Sequence, residues 1–410
     1  RRVVVTGMGA VSPVGVGVGT VWDSLVSGKN GIGKITAFDT SEYKTSVAAE
    51  VKDFNPRDFM ERSDVLKSDR YAQFGIAASV EAVEDSGIIG KVEPERIAVY
   101  LGSGIGGIIT HGEEYKKLME RGAKRISPYF IPMMIPNMAA GMVAIRYNCQ
   151  GPAMPSVTAC ASGSNAIGEA LRLIRHGYAD AAITGGAEAP ITPLAAAGFG
   201  NMQALSPADD PEEASLPFDA RRRGFVMGEG SAVLVLEEMQ HAIARGAKIY
   251  GEVTGYGSTC DAYHITAPRP DAKGGADAMK AALDESAYTV GDVVYVNAHG
   301  TGTPMNDKVE TLAIKKSLGE DAARAAYISS TKSMTGHMLG AAGAIEALVC
   351  LKVLESGIIP PTINLNVPDP ECDLNYVPNT AVKADITLAL SNSLGFGGHN
   401  ACLAFRKVTE

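Results

Sequence analysis

The chain repeats itself, and that constrains its fold more than any other feature. Val5-Thr6-Gly7-Met8-Gly9 returns as Val253-Thr254-Gly255-Tyr256-Gly257. A longer segment, Gly163-Ser164-Asn165-Ala166-Ile167-Gly168-Glu169-Ala170-Leu171, returns as Gly340-Ala341-Ala342-Gly343-Ala344-Ile345-Glu346-Ala347-Leu348, a spacing of 177 residues. Two matches in the same order point to a chain of two related halves, residues 1–250 and 251–410. Chance likeness between Gly/Ala-rich helices is the alternative. Each long segment reads as a strand leading into a helix that is apolar nearly all round, hence buried. Its small residues let two backbones approach closely. Applied to Cys160, the spacing arrives at His337, so a thiol and an imidazole are expected at equivalent starts of two buried helices.

Composition narrows the class. Of 410 residues 46 are glycine, 46% are hydrophobic, and 37 Lys+Arg against 46 Asp+Glu leave a formal charge of −9. A disordered chain would be less apolar, and a general nucleic-acid binder would be basic. No apolar run reaches the roughly 18–20 residues of a membrane span. The longest, 181–200, is broken by Glu188, Pro190 and Pro193. Strands are expected over 3–7, 97–102, 181–185, 232–236, 293–297 and 387–392, with helices over 71–85, 162–176 and 341–355. Such alternation makes an α/β fold. The six cysteines fall in no ligand-like spacing, and the start of the chain reads as a strand rather than a signal peptide. Reduced thiols in the cytoplasm are expected.

Four segments carry chemistry. Ser156-Val157-Thr158-Ala159-Cys160-Ala161-Ser162-Gly163 is a strand, a tight turn and a helix start, where free N–H groups and the helix dipole favour a thiolate. A buried structural cysteine is the alternative. Asn297-Ala298-His299-Gly300-Thr301-Gly302-Thr303-Pro304 puts a histidine at a strand end, exposed in a cleft, or else satisfied by backbone. In Thr331-Lys332-Ser333-Met334-Thr335-Gly336-His337, a histidine at a helix start should stay neutral. Lys332 is the natural partner for Glu346, whether for catalysis or only for structure. Gly395-Phe396-Gly397-Gly398-His399-Asn400 either aims N–H groups at an oxyanion or is an ordinary hairpin turn. Gly102-Ser103-Gly104-Ile105-Gly106-Gly107 matches GxGxxG after a strand, but its sequel does not suit a dinucleotide. Zinc is a poor fit, since the chain has no HExxH and no close Cys/His pairing.

Together, and in this order, the four segments resemble the β-ketoacyl-[acyl carrier protein] synthases, most closely the elongating condensing enzymes of bacterial fatty-acid synthesis. The likeness runs along essentially the whole chain. It implies a thiolase-like α/β fold, two duplicated halves in a five-layer αβαβα sandwich, and a cytoplasmic homodimer. It implies an acyltransferase in which Cys160 takes an acyl chain from its carrier. The N–H groups of Cys160 and Phe396 would form an oxyanion hole, and His299 and His337 would serve malonyl decarboxylation. Lys332 matches the family's active-site lysine and Glu346 its partner. Thr301 and Thr303 match residues that bind the phosphopantetheine arm, Ile105 and Phe199 acyl-pocket residues, and Phe396 the gating aromatic. No resident cofactor is implied, because phosphopantetheine arrives on the carrier. Asn297, Ala298, Glu346, Ser391 and Asn392 resemble a structural monovalent-cation site.

Acyl carrier protein is the implied partner, with no nucleic acid or membrane. Docking would use Lys124 and Arg125, with Arg62 and Lys67. Gln203 and Leu66 stand where relatives often carry arginine, and Arg223 where an acidic residue is common. A polyketide-type ketosynthase would share the chemistry. A non-catalytic chain-length partner would lack the cysteine, and a Cys-His hydrolase would not need two histidines.

Overall fold

The computed structural model describes residues 1–408. The first half contributes five main strands: β1 (Val3–Ser12), β2 (Ile97–Gly102), β3 (Ala153–Ser156), β4 (Ala181–Glu188) and β5 (Gly230–Glu238). The second contributes β6 (Gly251–Cys260), β7 (Val294–Asn297), β8 (Tyr327–Ser329), β9 (Leu388–Gly395) and β10 (His399–Arg406). The order across them is β8-β7-β9-β10-β6-β1-β5-β4-β2-β3. Read outward from the middle, the halves match strand for strand in order and direction. In each, the first strand lies antiparallel to the fifth, the fifth antiparallel to the fourth, and the fourth, second and third run parallel. The two five-stranded units are continuous only through β1 and β6, at Val4↔Glu252 and Val5↔Gly251.

Helices α1 (Arg70–Ser86) and α2 (Met138–Tyr147) cover one unit, while α4 (Lys273–Glu285) and α5 (Pro304–Leu318) cover the other. Between the units lie α3 (Ser162–Arg175) and α6 (Ala342–Ser356), each touching strands of both. The expected αβαβα sandwich is therefore the fold, with its two sheets joined at a narrow seam. The largest core gathers around Ile167, Leu171, Ile174, Ile345, Leu348 and Leu351 of the two central helices. Among the described residues no helix is long and apolar enough to cross a membrane. The apolar run 181–200 is divided between β4 and the helix Pro193–Asn201.

The repeats sit where layers touch. A Cβ on Gly7 or Gly9 would run into the carbonyl oxygens of Ala82 and Ala78 on α1. On Gly255 or Gly257 it would meet those of Ala282 and Ala278 on α4. At the centre, a Cβ on Gly163 would lie 3.0 Å from Ala344 N, and one on Gly343 would lie 2.9 Å from Ser164 N. This reciprocity corrects the register expected from sequence. Gly163 is the counterpart of Gly343, a spacing of 180 residues, not 177. The 3₁₀ turns Ala159–Ala161 and Leu339–Ala341 that open the two helices agree. So do their first residues, Ala159 and Leu339, both left-handed at φ 50° and 46°. The counterpart of Cys160 is thus Gly340, and His337 lies one turn earlier.

Candidate active site

The chain hands its reactive groups to one cavity of about 600 Å³ at the junction of the halves. The turn opening α3 presents Cys160, the loop after β7 presents His299, and the segment before α6 presents His337. One ligand-type atom from each of the three lies within 4.8 Å of the others. The two imidazoles meet edge to face, centroids 5.2 Å apart. All three side chains are buried. His299, expected exposed in its cleft, instead forms part of the floor.

Burial decides the protonation states. Loss of water pushes the Cys160 thiol up to about 12, although the Lys332 ammonium and the N–H groups of Phe396 and Cys160 pull it down. The thiolate expected at this helix start is therefore not the resting form. Burial holds His299 well below the usual imidazole range, aided by Lys332 and His337, and burial with Lys332 does the same to His337. Both rings are neutral, as expected for His337. Leu339 N–H donates to His337 Nδ1 at 3.3 Å, which leaves the ring proton on Nε2. The N–H groups of His299 and Gly300 donate to Glu310 on α5, each at 2.7 Å, and fix the histidine loop. Phe225 stacks edge-on against both His337 and Phe199. Neither Glu310 nor Phe225 falls in a motif, and a carboxylate nearly two turns into the helix after the Gly/Thr loop was the only available signal.

The other expected residues divide into groups. Ile105, Phe199, Thr301, Thr303 and Phe396 all line the cavity, and the two threonine hydroxyls are 3.0 Å apart. Phe396 lies in the β9–β10 hairpin, whose turn needs left-handed Gly397 and Gly398. Lys332 is buried and paired with Glu346 from α6. Arg62, Lys67, Lys124 and Arg125 are exposed and outside the cavity, Lys67 lying 5.3 Å from the Tyr129 ring. Of the basic run 221–223, Arg222 is buried and paired with Asp369.

Behind the histidines, Asn297 on β7 faces Ser391 on β9, with Asn392 beside it. Asn297 Oδ1, Ser391 Oγ, Asn392 Oδ1 and Glu346 Oε2 are buried and receive no hydrogen bond among the described residues. Ala298, next to Asn297 in sequence, is wholly buried, its N–H donating to Ser329 O. Four unsatisfied buried oxygens fit a hard cation.

Residues 1–242 match the sequence profile of the β-ketoacyl synthase N-terminal domain and residues 250–366 that of the C-terminal domain. The 3-oxoacyl-[acyl-carrier-protein] synthase 2 of Staphylococcus aureus (strain COL) is 52% identical over 408 residues, covering 99% of this chain and 98% of the relative. The protein of the same name from Synechocystis sp. is 52% identical over 409 residues, with the same coverage. A β-ketoacyl synthase from Burkholderia phymatum superposes with a TM-score of 0.92 at 35% identity, covering all of both chains. A type II polyketide ketosynthase, solved with its acyl carrier protein, gives 0.93 at 34%, again over all of both chains. With both domain profiles matched in order and half of all residues shared with full-length relatives, this chain belongs to the β-ketoacyl synthase family.

Proposed function

We propose that Cys160, His299 and His337 divide a decarboxylative condensation between them. The chain is an acyltransferase, an elongating 3-oxoacyl-acyl carrier protein synthase of fatty-acid synthesis. The convergence of a thiol and two neutral imidazoles in one apolar cavity carries the residue assignments.

In the first step the Cys160 sulfur attacks the thioester carbonyl of the acyl chain. Its proton leaves for a neighbouring imidazole as the S–C bond forms, because the resting thiol is protonated. The developing oxyanion takes the N–H groups of Cys160 and Phe396. The C–S bond to the carrier breaks, and the departing thiolate takes the proton. In the second step malonyl carrier loses carbon dioxide, and the imidazoles stabilise the enolate oxygen by hydrogen bonds. The enolate carbon attacks the acyl-Cys160 carbonyl, a C–C bond forms as the C–S bond to Cys160 breaks, and the departing Cys160 thiolate takes a proton from solvent to restore the thiol. Neutral donors suit this task because they meet charge that exists mainly in the transition state. Thr301 and Thr303 hold the pantetheine arm, and Ile105 and Phe199 the acyl chain.

Asn297, Ser391, Asn392 and Glu346, with the Ala298 carbonyl, would hold a monovalent cation. When bound it supplies fixed positive charge beneath the histidine loop. The carrier partner is acyl carrier protein, supported by the complex of the related ketosynthase and by the exposed Lys124, Arg125, Arg62 and Lys67. A homodimer is supported by edge strand β3, whose Met154 is 51% exposed, whereas at the opposite edge Ile328 N–H donates to Asn375 O. A cytoplasmic setting is supported by six free cysteines.

Intact-mass measurement tests the reaction. Acyl carrier thioester should add one acyl mass at Cys160, and malonyl carrier should remove it as a chain two carbons longer. Cys160→Gln should abolish condensation but keep malonyl decarboxylation. Stable acylation with no release would refute the synthase assignment.

A further inference from the structure

Glu188, the last residue of β4, has no part in the reaction described above, yet it is wholly buried. Among the described residues no cationic side chain pairs with it. Its carboxylate instead collects four donors. Ser103 Oγ and Ile105 N donate to Oε1 at 2.9 and 3.1 Å, and Gly104 N and Gly340 N to Oε2 at 2.7 and 2.9 Å. Only an ionised carboxylate offers two oxygens that accept everywhere and donate nowhere. Ser103 Oγ in turn accepts from Gly106 N–H at 3.0 Å. The glycine-rich loop 102–107 is therefore an anion cradle whose anion is the protein's own side chain.

Its position follows from the symmetry of the fold. Gly340 is the counterpart of Cys160, and Glu188 at the end of β4 is the counterpart of Gly395 at the end of β9. A Cβ on Gly395 would lie 2.9 Å from Thr158 O and 3.3 Å from Cys160 N, so glycine keeps the first helix start open. At the second helix start a carboxylate fills the equivalent place. A Cβ on Gly340 would lie 2.6 Å from Glu188 Oε2, and on Gly104 2.9 Å from it. Both glycines admit the anion.

We propose that Glu188 is a positioning residue for acyl-chain recognition, its carboxylate pinning the Ile105 loop to the helix start behind His337 and Leu339. The two cavity walls joined in this way come from opposite halves. Ile105 and Leu339 both line the cavity beside Cys160, so loosening the clamp displaces the wall that a long chain must follow. This inference rests on the acyl-transfer reading above.

The test compares wild type, Glu188→Gln and Ser103→Ala. Initial rates of Cys160 acylation are followed by intact mass, with acetyl- and dodecanoyl-acyl carrier protein. The amide of Glu188→Gln would turn N–H groups toward backbone donors. Its dodecanoyl rate should therefore fall about tenfold more than its acetyl rate. Ser103→Ala removes one donor and should shift the ratio the same way by about threefold. A merely structural role would lower both rates by the same folded fraction, and parallel losses overturn the proposal. If Glu188→Gln does not fold, an unchanged ratio in folded Ser103→Ala overturns it equally. Wild type that fails to acylate with either donor instead refutes the acyl-transfer reading itself.

Discussion

Cys160, the proposed nucleophile, rests as a thiol. Burial raises its pKa, so the thiolate fraction is small at neutral pH and grows as pH rises toward about 12. Alkylation of Cys160 by iodoacetamide should thus climb about tenfold per pH unit between roughly 7 and 9 without levelling. Mass spectrometry of the labelled peptide reads this directly, and a plateau near neutrality would contradict it. The residues that gather at this site could be singled out from the sequence, since Cys160, His299, His337 and Lys332 each sit in a short motif. The ionisation of Cys160 was not. A helix start argues for a thiolate, but burial depends on what the second half of the chain lays over it, and burial prevails. His337 is neutral as expected, although the cause is burial together with the Lys332 charge rather than a helix start, which lies one turn further on.

Among the elements, the glycine pairs of β1 and β6 fix how closely α1 and α4 lie on the sheet. Gly257→Ala would force its methyl against the Ala278 carbonyl oxygen. Because that atom belongs to helix backbone and cannot turn aside, the substitution should cost about 3 kcal/mol. Thermal unfolding of the variant against wild type measures the loss, and an unchanged midpoint would show that the layers can part. These glycines explain why the short repeat was visible: both copies meet the same steric demand. The long repeat was visible yet misaligned by three residues. A helix returns to nearly the same face after 3.6 residues, so small residues can match one turn out of register. The true register is marked by the left-handed Ala159 and Leu339, and residue type does not disclose either.

For the whole molecule, the unequal edges of the sheet matter most. Edge β8 is covered by the segment around Asn375, while β3 presents Met154 and neighbouring Val157 to solvent. An open strand edge bearing apolar side chains invites pairing with another strand. Wild type should therefore run in light scattering at about twice the 42.8 kDa chain mass. Met154→Asp should shift it toward the single-chain mass without loss of helical signal. An unchanged dimer would place the interface elsewhere. The α/β class and the duplication could be read from sequence, because both leave periodic traces. The continuous seam at β1 and β6 could not, since it consists of two residue pairs and no motif.

Duplication doubled the scaffold without doubling the workplace. One helix start faces arriving substrate, while its twin is stoppered by Glu188 and serves as masonry for the same room. A chain with both starts open would have two doors at which different carriers could call independently. In the proposed reaction donor and extender would share that one threshold, so their alternation would follow from architecture before rates. Copying the machine became a way to wall in one reaction rather than run two.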